Sequence, residues 1–187
     1  QSAIILSARS GRAALRHRLE ALGFHIEGQA FEDLYNSFLD LADKKKEVYD
    51  EDLESLVGEH NRNQTAHYTL ESVQISCGQP LIPTATVTLS DSEGREFVAC
   101  STGAGPVDAL YKAVNEIVDI ENDLTEFAVQ SVTRGIDALG EVTIRVTDAD
   151  GMVFSGRASD GDIIVSSAKA YLNALNRLIS HRQEKAK

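Results

Sequence analysis

The sequence predicts an α+β protein: a helical arm followed by a duplicated β-β-β-α module with pseudo-twofold symmetry. Three observations carry that prediction. The spacing of apolar residues changes near Tyr68 from the 3.6-residue period of helices to the two-residue period of strands. The stretch beyond that point is written twice, with Gly94 and Gly151 as the same turn at an offset of 57 (151 − 94). Each copy ends in a glycine-bearing loop that runs into an amphipathic helix.

The arm occupies residues 1–57. Ala3-Ile4-Ile5-Leu6 reads as an edge strand or a segment that packs on a neighbour. Ser10 is placed as an N-cap, Ala13, Ala14, Leu15, Leu19 and Leu22 follow at helical spacing, and Gly23 supplies the stop. A second helix is expected over about 29–46, from the stripe Phe31, Leu34, Tyr35, Phe38, Leu41 and Ala42. Asp50 is placed as the cap of a short third helix carrying Leu53, Leu56 and Val57. Such an arm has little apolar surface of its own and is expected to borrow a partner's. Residues 58–67 are polar and read as a linker.

The duplicated domain spans 68–187, with repeats at 68–122 and 123–180. The first copy alternates over Leu70–Cys77 and Thr84–Leu89, turns at Asp91-Ser92-Glu93-Gly94, and returns over Glu96–Ser101. Its helix places Val107, Leu110, Tyr111, Val114, Ile117 and Val118 on one face. The second copy reads Leu124–Arg134, Glu141–Thr147, a turn at Asp148–Gly151, Val153–Ala158, and a helix from about Asp162 to Ile179, frayed after Ser180. An ungapped shift of 57 pairs Thr86 with Thr143, Asp91 with Asp148, Phe97 with Phe154, and Gly78 with Gly135.

Charge and composition exclude several classes. The chain of 187 residues carries a net charge of −11, with 29 acids against 18 bases, which disfavours a phosphate-backbone partner such as nucleic acid. No apolar run approaches the roughly 18 residues of a membrane span. Cys77 and Cys100 are the only cysteines, read as a reduced cytosolic pair. None of His17, His25, His60, His67 and His181 has a metal-type spacing to cysteine or acid, and no catalytic motif is present.

The chemistry gathers at the two loop–helix junctions. Gly103-Ala104-Gly105-Pro106 precedes the first helix, and Asp160-Gly161-Asp162 stands opposite it in the second copy. Proline fits the first helical turn, and the free N–H groups there suit a carboxylate. One reading is a pair of tight turns and nothing more, with Asp162 simply favoured by the helix dipole. The other is a small zwitterion held between the repeats. Backbone N–H groups would take its carboxylate, Asp162 or carbonyls its ammonium, and an apolar wall its branched side chain, whose burial is worth roughly 1.5–3 kcal/mol.

Gly103–Tyr111, Asp137-Ala138-Leu139-Gly140-Glu141-Val142 and Asp162-Ile163-Ile164 with Ser167–Ala174 resemble the C-terminal regulatory domain of the 2-isopropylmalate synthase family. In the arm, Ser10-Gly11-Arg12-Ala13-Ala14 and Leu41-Ala42-Asp43-Lys44-Lys45-Lys46 are similar to that family's linker subdomains. The resemblance implies a cytoplasmic homodimer that binds leucine as feedback inhibitor. The parent acyltransferase would join acetyl-CoA to 3-methyl-2-oxobutanoate in an N-terminal, metal-dependent barrel. That barrel is expected to be absent from this chain, which would then hold no cofactor and catalyse nothing alone. The resemblance places effector contacts at Gly103, Gly105, Val107 and Asp108, at Leu124, Phe127, Ser131 and Ala138, and at Asp162. The family's second loop often reads Ser-Thr-Asp-Ile, whereas Asp160-Gly161-Asp162-Ile163 adds a carboxylate here. Two alternatives stay open: an isoleucine-sensing domain of a citramalate synthase, and a purely structural dimerisation module.

Overall fold

Three amphipathic helices close on one another in the arm. The computed structural model describes residues 6–7, 9–45, 47–60, 66–131 and 140–186. It divides into two units, Gln1–Gln64 and Thr65–Lys187. The first unit contains α1 (Arg12–Ala21), α2 (Gly28–Lys45) and α3 (Asp50–His60). Their inward stripes are Leu15 and Leu19, then Phe31, Leu34, Phe38 and Ala42, then Leu53 and Val57, all buried.

The arm has more apolar core of its own than the sequence suggests. Leu6, Leu22, Phe24 and Val48 join those stripes in one buried cluster, and Leu6 and Val48 pair as an antiparallel bridge. Leu6, Phe24 and Val48 lie outside the helices, where helical periodicity carries no signal. The rest of the expected edge strand, residues 1–5, lies outside the described residues.

Two caps also differ from expectation. Gly11, not Ser10, is the N-cap of α1, because the Ser10 hydroxyl accepts the Ser7 N–H at 3.0 Å. Tyr49, not Asp50, stands before α3: its carbonyl accepts from Asp52 and Leu53, and Asp52 Oδ2 accepts the Tyr49 N–H at 3.1 Å. That is half of a capping box. Asp50 is left to pair with Arg18. Helix α3 runs on to His60, into the segment read as linker, since a lone glycine at 58 weakens a helix without ending it.

In the second unit the polypeptide forms β1 (Tyr68–Gly78), β2 (Leu81–Asp91), β3 (Glu96–Thr102), α4 (Pro106–Val118), β4 (Asp123–Ser131), β5 (Gly140–Thr147), β6 (Val153–Asp160) and α5 (Ile163–Lys185). The strands make two antiparallel sheets, β1-β2-β3 and β4-β5-β6. Alternation in the central strands decides which face is core. Ala85, Val87 and Leu89 of β2, and Val142, Ile144 and Val146 of β5, are completely buried. The duplicated β-β-β-α module is therefore present as expected.

The β2–β3 and β5–β6 turns match bond for bond. The Gly94 N–H donates to the Asp91 carbonyl and the Gly151 N–H to the Asp148 carbonyl, each at 3.0 Å. Asp91 Oδ1 accepts from the Glu93 and Arg95 N–H groups. Asp148 Oδ1 accepts from Asp150 and Met152 in the same way. Both glycines have positive φ, 76° and 80°, a conformation that costs other residues strain.

The ungapped shift of 57 does not extend to the opening strands. The bulges follow Leu70 in β1 and Leu124 in β4, an offset of 54 (124 − 70). The three extra residues of the second copy fall between its first two strands. Gly135, the residue paired with Gly78 by that shift, lies outside the described residues. So do the last three residues of the strand expected over Leu124–Arg134.

Both helices share one apolar core with the two sheets. Helix α4 lies on β2 and β3, α5 on β5 and β6, and α5 also reaches β1. Tyr111 and Tyr171 meet where the helices touch, their rings 4.4 Å apart between centroids. Helix α5 extends to Lys185 rather than fraying after Ser180. His181 lies against the Phe154 ring at 5.6 Å, and Lys185 approaches Asp150 at 3.8 Å. Contact with the hairpin thus holds the last turns.

The approach of α5 to β6 depends on Gly156. A Cβ there would stand 1.9 Å from the Ala170 carbonyl oxygen and 2.5 Å from the Ala174 nitrogen, both backbone atoms that cannot rotate away. Gly156→Ala is expected to lower stability by about 1–3 kcal/mol, the usual cost of overpacking. Gly161, which has open space around it, is the control: Gly161→Ala leaves the melting temperature nearly unchanged in the same thermal scan.

Candidate functional site

Two glycines of the first loop have different duties. The Gly103 N–H donates to the Pro83 carbonyl at 3.0 Å. A Cβ on Gly103 would lie 2.4 Å from the Ala109 nitrogen and 2.7 Å from Asp108 Oδ2. Gly103 therefore lets the strand end tuck under α4. Gly105 is the N-cap of α4, extended at φ −155°, without a side-chain cap and with nothing within 4 Å of an added Cβ. Of the pair, Gly105 is the one a ligand can approach.

Asp108 already serves this turn. Its Oδ2 accepts from Lys112 Nζ and from the Ala104 N–H, both at 2.8 Å. The Lys112 hydrogen bond, then the Ala104 N–H, hold its carboxyl below the ordinary 3.8. Asp108 is thus a fixed anion at the mouth of the loop. The Ala104 N–H, just before the helix, is therefore already satisfied within the chain.

Strand β4 supplies the apolar part. Its inward residues pair with the buried row of β5: Leu124 opposite Val146, Phe127 opposite Ile144, Val129 opposite Val142. Yet Leu124 and Phe127 are each 39% exposed and Val129 47%. The face is built for a core and lacks a full cover. Helix α4 reaches it through Tyr111, whose ring meets Phe127 edge-on at 6.4 Å. Tyr111 of α4 thus stands against Phe127, and among the described residues no extensive contact between α4 and β4 brings Val107 or Asp108 to Leu124.

The remaining expected residues are placed differently. Asp162 is the N-cap of α5, with Oδ1 accepting the Ile164 N–H at 2.8 Å. Its own N–H donates to Asp160 Oδ1 at 3.1 Å, and Asp160 in turn binds Lys169. The second helix start is therefore closed by its own acids, while the first is not. Ile163, the next residue, packs on Gly140, the β5 residue opposite Ser131. That places Asp162 at the far end of the β4 edge. Ala138 lies outside the described residues, as does Asp137.

Tyr111 was legible as a core residue but not as part of this site. Its hydroxyl oxygen is buried and has no hydrogen-bond partner among the described residues. Burial, then the neighbouring Tyr171, raises its pKa well above that of an ordinary phenol. Tyr171, by contrast, donates to Asn122 Oδ1 at 2.8 Å. A cavity of about 430 Å³ lies elsewhere in the unit, lined in part by Tyr68, Leu70, Arg157, Lys169, Leu172 and Asn176. It does not join the two glycine loops.

Among the described residues, no cluster of three or more His, Cys, Asp or Glu side chains is placed to hold a metal ion. No helix there is long and apolar enough to cross a membrane. Cys77 and Cys100 are free and exposed, on strands that flank β2.

The duplicated β-β-β-α unit thus has one helix start capped by its own side chain and one without a side-chain cap. Residues 47–179 match the family of the LeuA allosteric (dimerisation) domain, and the chain belongs to that family. It is similar to the 2-isopropylmalate synthase of Olsenella uli, 58% identical over 184 residues, which are 98% of this chain and 36% of that protein. The 2-isopropylmalate synthase of Trichodesmium erythraeum is 53% identical over 175 residues, 94% of this chain and 32% of the other. That of Prochlorococcus marinus is 50% identical over 179 residues, 96% and 33% respectively. The chain spans about a third of the length of these curated relatives.

Two measurements test this geometry. Gly103→Ala is expected to cost about 1–3 kcal/mol in a denaturant melt, while Gly105→Ala leaves the midpoint in place. The second measurement is the acid limb of stability. The Asp108 pKa is depressed on folding, so its contribution is present above the ordinary value and is lost as pH falls through the lower folded one. Asp108→Asn should flatten the acid limb below pH 3.8 and leave the neutral region with the same slope.

Proposed function

We propose that this chain is the leucine-responsive, homodimerising region of a 2-isopropylmalate synthase. The parent enzyme would join acetyl-CoA to 3-methyl-2-oxobutanoate in a separate metal-dependent barrel. Leucine would bind beside the start of α4. The observation that carries the reading is an α4 N-terminus without a side-chain cap on the helix whose Tyr111 meets the partly exposed Phe127 of β4.

The chemistry fits an aliphatic amino acid. The N–H groups of the first α4 turn suit its carboxylate. Leu124 and Phe127 offer apolar surface to its branched side chain, and Asp108 offers a carboxylate to its ammonium. Gly105 and Val107 form the floor of that turn. Ser131 and Ala138 belong to the adjoining strand and connection, and Asp162 borders the far end. Gly103 stays in the list only as the residue that shapes the loop. Occupancy would be read out through dimer packing and passed to the barrel, with a coupling typically of about 1–3 kcal/mol.

Calorimetry and thermal scans with leucine on this chain test the reading. Leucine at about 100 times its dissociation constant is expected to stabilise the fold by about 2.7 kcal/mol. Gly105→Ala should keep the unliganded melting temperature and weaken that response. Absence of heat and of any thermal shift at millimolar leucine, with the dimer intact in sedimentation, would leave only a dimerisation role. Isoleucine titrated beside leucine decides between the two effectors.

A further inference from the structure

We infer that the cavity between β1 and β6 is a binding site in its own right, and that it takes a small organic anion with a compact apolar body. It does not join the glycine loops, and the inference stands whether or not leucine binds beside α4.

The frame of the cavity is fixed by α5. β1 and β6 are edge strands of different sheets, and α5 packs on both. Two asparagines of α5, three residues apart and so on one face, tie the helix to opposite walls. Asn173 Nδ2 donates to the Arg157 carbonyl of β6 at 2.9 Å. Asn176 Oδ1 accepts the His67 and Tyr68 N–H groups at 3.1 and 2.9 Å, and its Nδ2 donates to the Tyr68 carbonyl at 2.9 Å. Backbone groups of both strands are thus bonded to the helix rather than to each other. The space between them is about 430 Å³, a volume in the range of preformed small-molecule sites.

The lining selects the ligand. Tyr68, Leu70, Ala158 and Leu172 offer apolar surface, and Arg157 and Lys169 bring positive charge. Among the described residues no acid lines the cavity, although the chain has 29 acids against 18 bases. Arg157 binds Glu141, and Lys169 Nζ donates to Asp160 Oδ2 at 2.9 Å. An ammonium has three donors, so Lys169 can hold a ligand's anionic group while keeping Asp160. The other copy shows that the fold does not require this wall. At the offset of 57, Arg157, Asn173 and Asn176 correspond to Cys100, Glu116 and Asp119. An arginine and two amides thus stand in the second copy where the first has a thiol and two acids. The class is therefore a carboxylate, sulfonate or phosphate monoester on a short aliphatic or aromatic body.

The experiment titrates the protein with the fluorescent anion anilinonaphthalene sulfonate, and with phenylnaphthylamine, which has the same rings without the charge. The sulfonate is expected to saturate one site, and the uncharged dye to bind about tenfold more weakly. Lys169→Met keeps the reach of the side chain and removes its charge. That variant is expected to melt at nearly the same temperature, because an exposed ion pair adds little stability. Its affinity for the sulfonate is expected to fall about tenfold, the worth of a hydrogen bond to a charged group, and Lys169→Arg to retain it. Saturating leucine is expected to leave the bound sulfonate in place. Unchanged sulfonate affinity in Lys169→Met overturns the inference, since the dye then sits elsewhere. Equal binding of the uncharged dye, displacement by leucine, or no dye binding by the unsubstituted protein overturns it as well.

Discussion

Two helices have to cover six strands. Each sheet of the second unit has one apolar face, and a three-stranded sheet is stable in water only when that face is packed. The answer is close contact. Helix α5 sits so near β6 that Gly156 has no room for a methyl group, and α4 presses on Gly103 in the same manner. The small residues Ala109, Ala113, Ala170 and Ala174 line the helices' buried sides, which lets backbone approach backbone. What the helices gain in depth they lose in breadth. Helix α5 covers β5, β6 and part of β1, α4 lies on β2 and β3, and Leu124, Phe127 and Val129 of β4 stay more than a third exposed, as does Phe97 of β3.

The uneven cover leaves apolar surface open on the second copy. Here the opening strand of the second copy keeps Leu124 and Phe127 open, next to a helix whose N-cap is a glycine. The equivalent start of α5 is closed by Asp162 on its own backbone and by the Asp160–Lys169 pair. One copy has an internal counter-charge for its helix dipole, and the other has Asp108 turned toward Ala104 and Lys112 with the cap position unfilled.

Much of this was legible in the chain. The two hairpin turns were visible because Asp91–Gly94 and Asp148–Gly151 satisfy identical hydrogen-bond demands and so keep similar residues. The central strands were visible because both are buried on one side and alternate strictly. The α4 stripe was visible for the same reason at helical spacing. The arm's core was underestimated, because Leu6, Phe24 and Val48 reach it from non-helical segments. The offset of the opening strands was hidden by bulges after Leu70 and Leu124, which break alternation without leaving a mark in composition. The distinction between Gly103 and Gly105 depends on which lies under the helix, and no one-dimensional pattern carries that. Tyr111 looked like one more apolar residue because a stripe records where a ring is, not whether its oxygen is bonded.

The extension of α5 to Lys185 shows what the duplication permits. The longer helix ties its last turns to the β5–β6 hairpin through His181 and Lys185, so the second copy acts as ballast for the pair. Ancestral twins need not remain equals: one helix has grown long enough to clasp its own hairpin, and the other has stayed short.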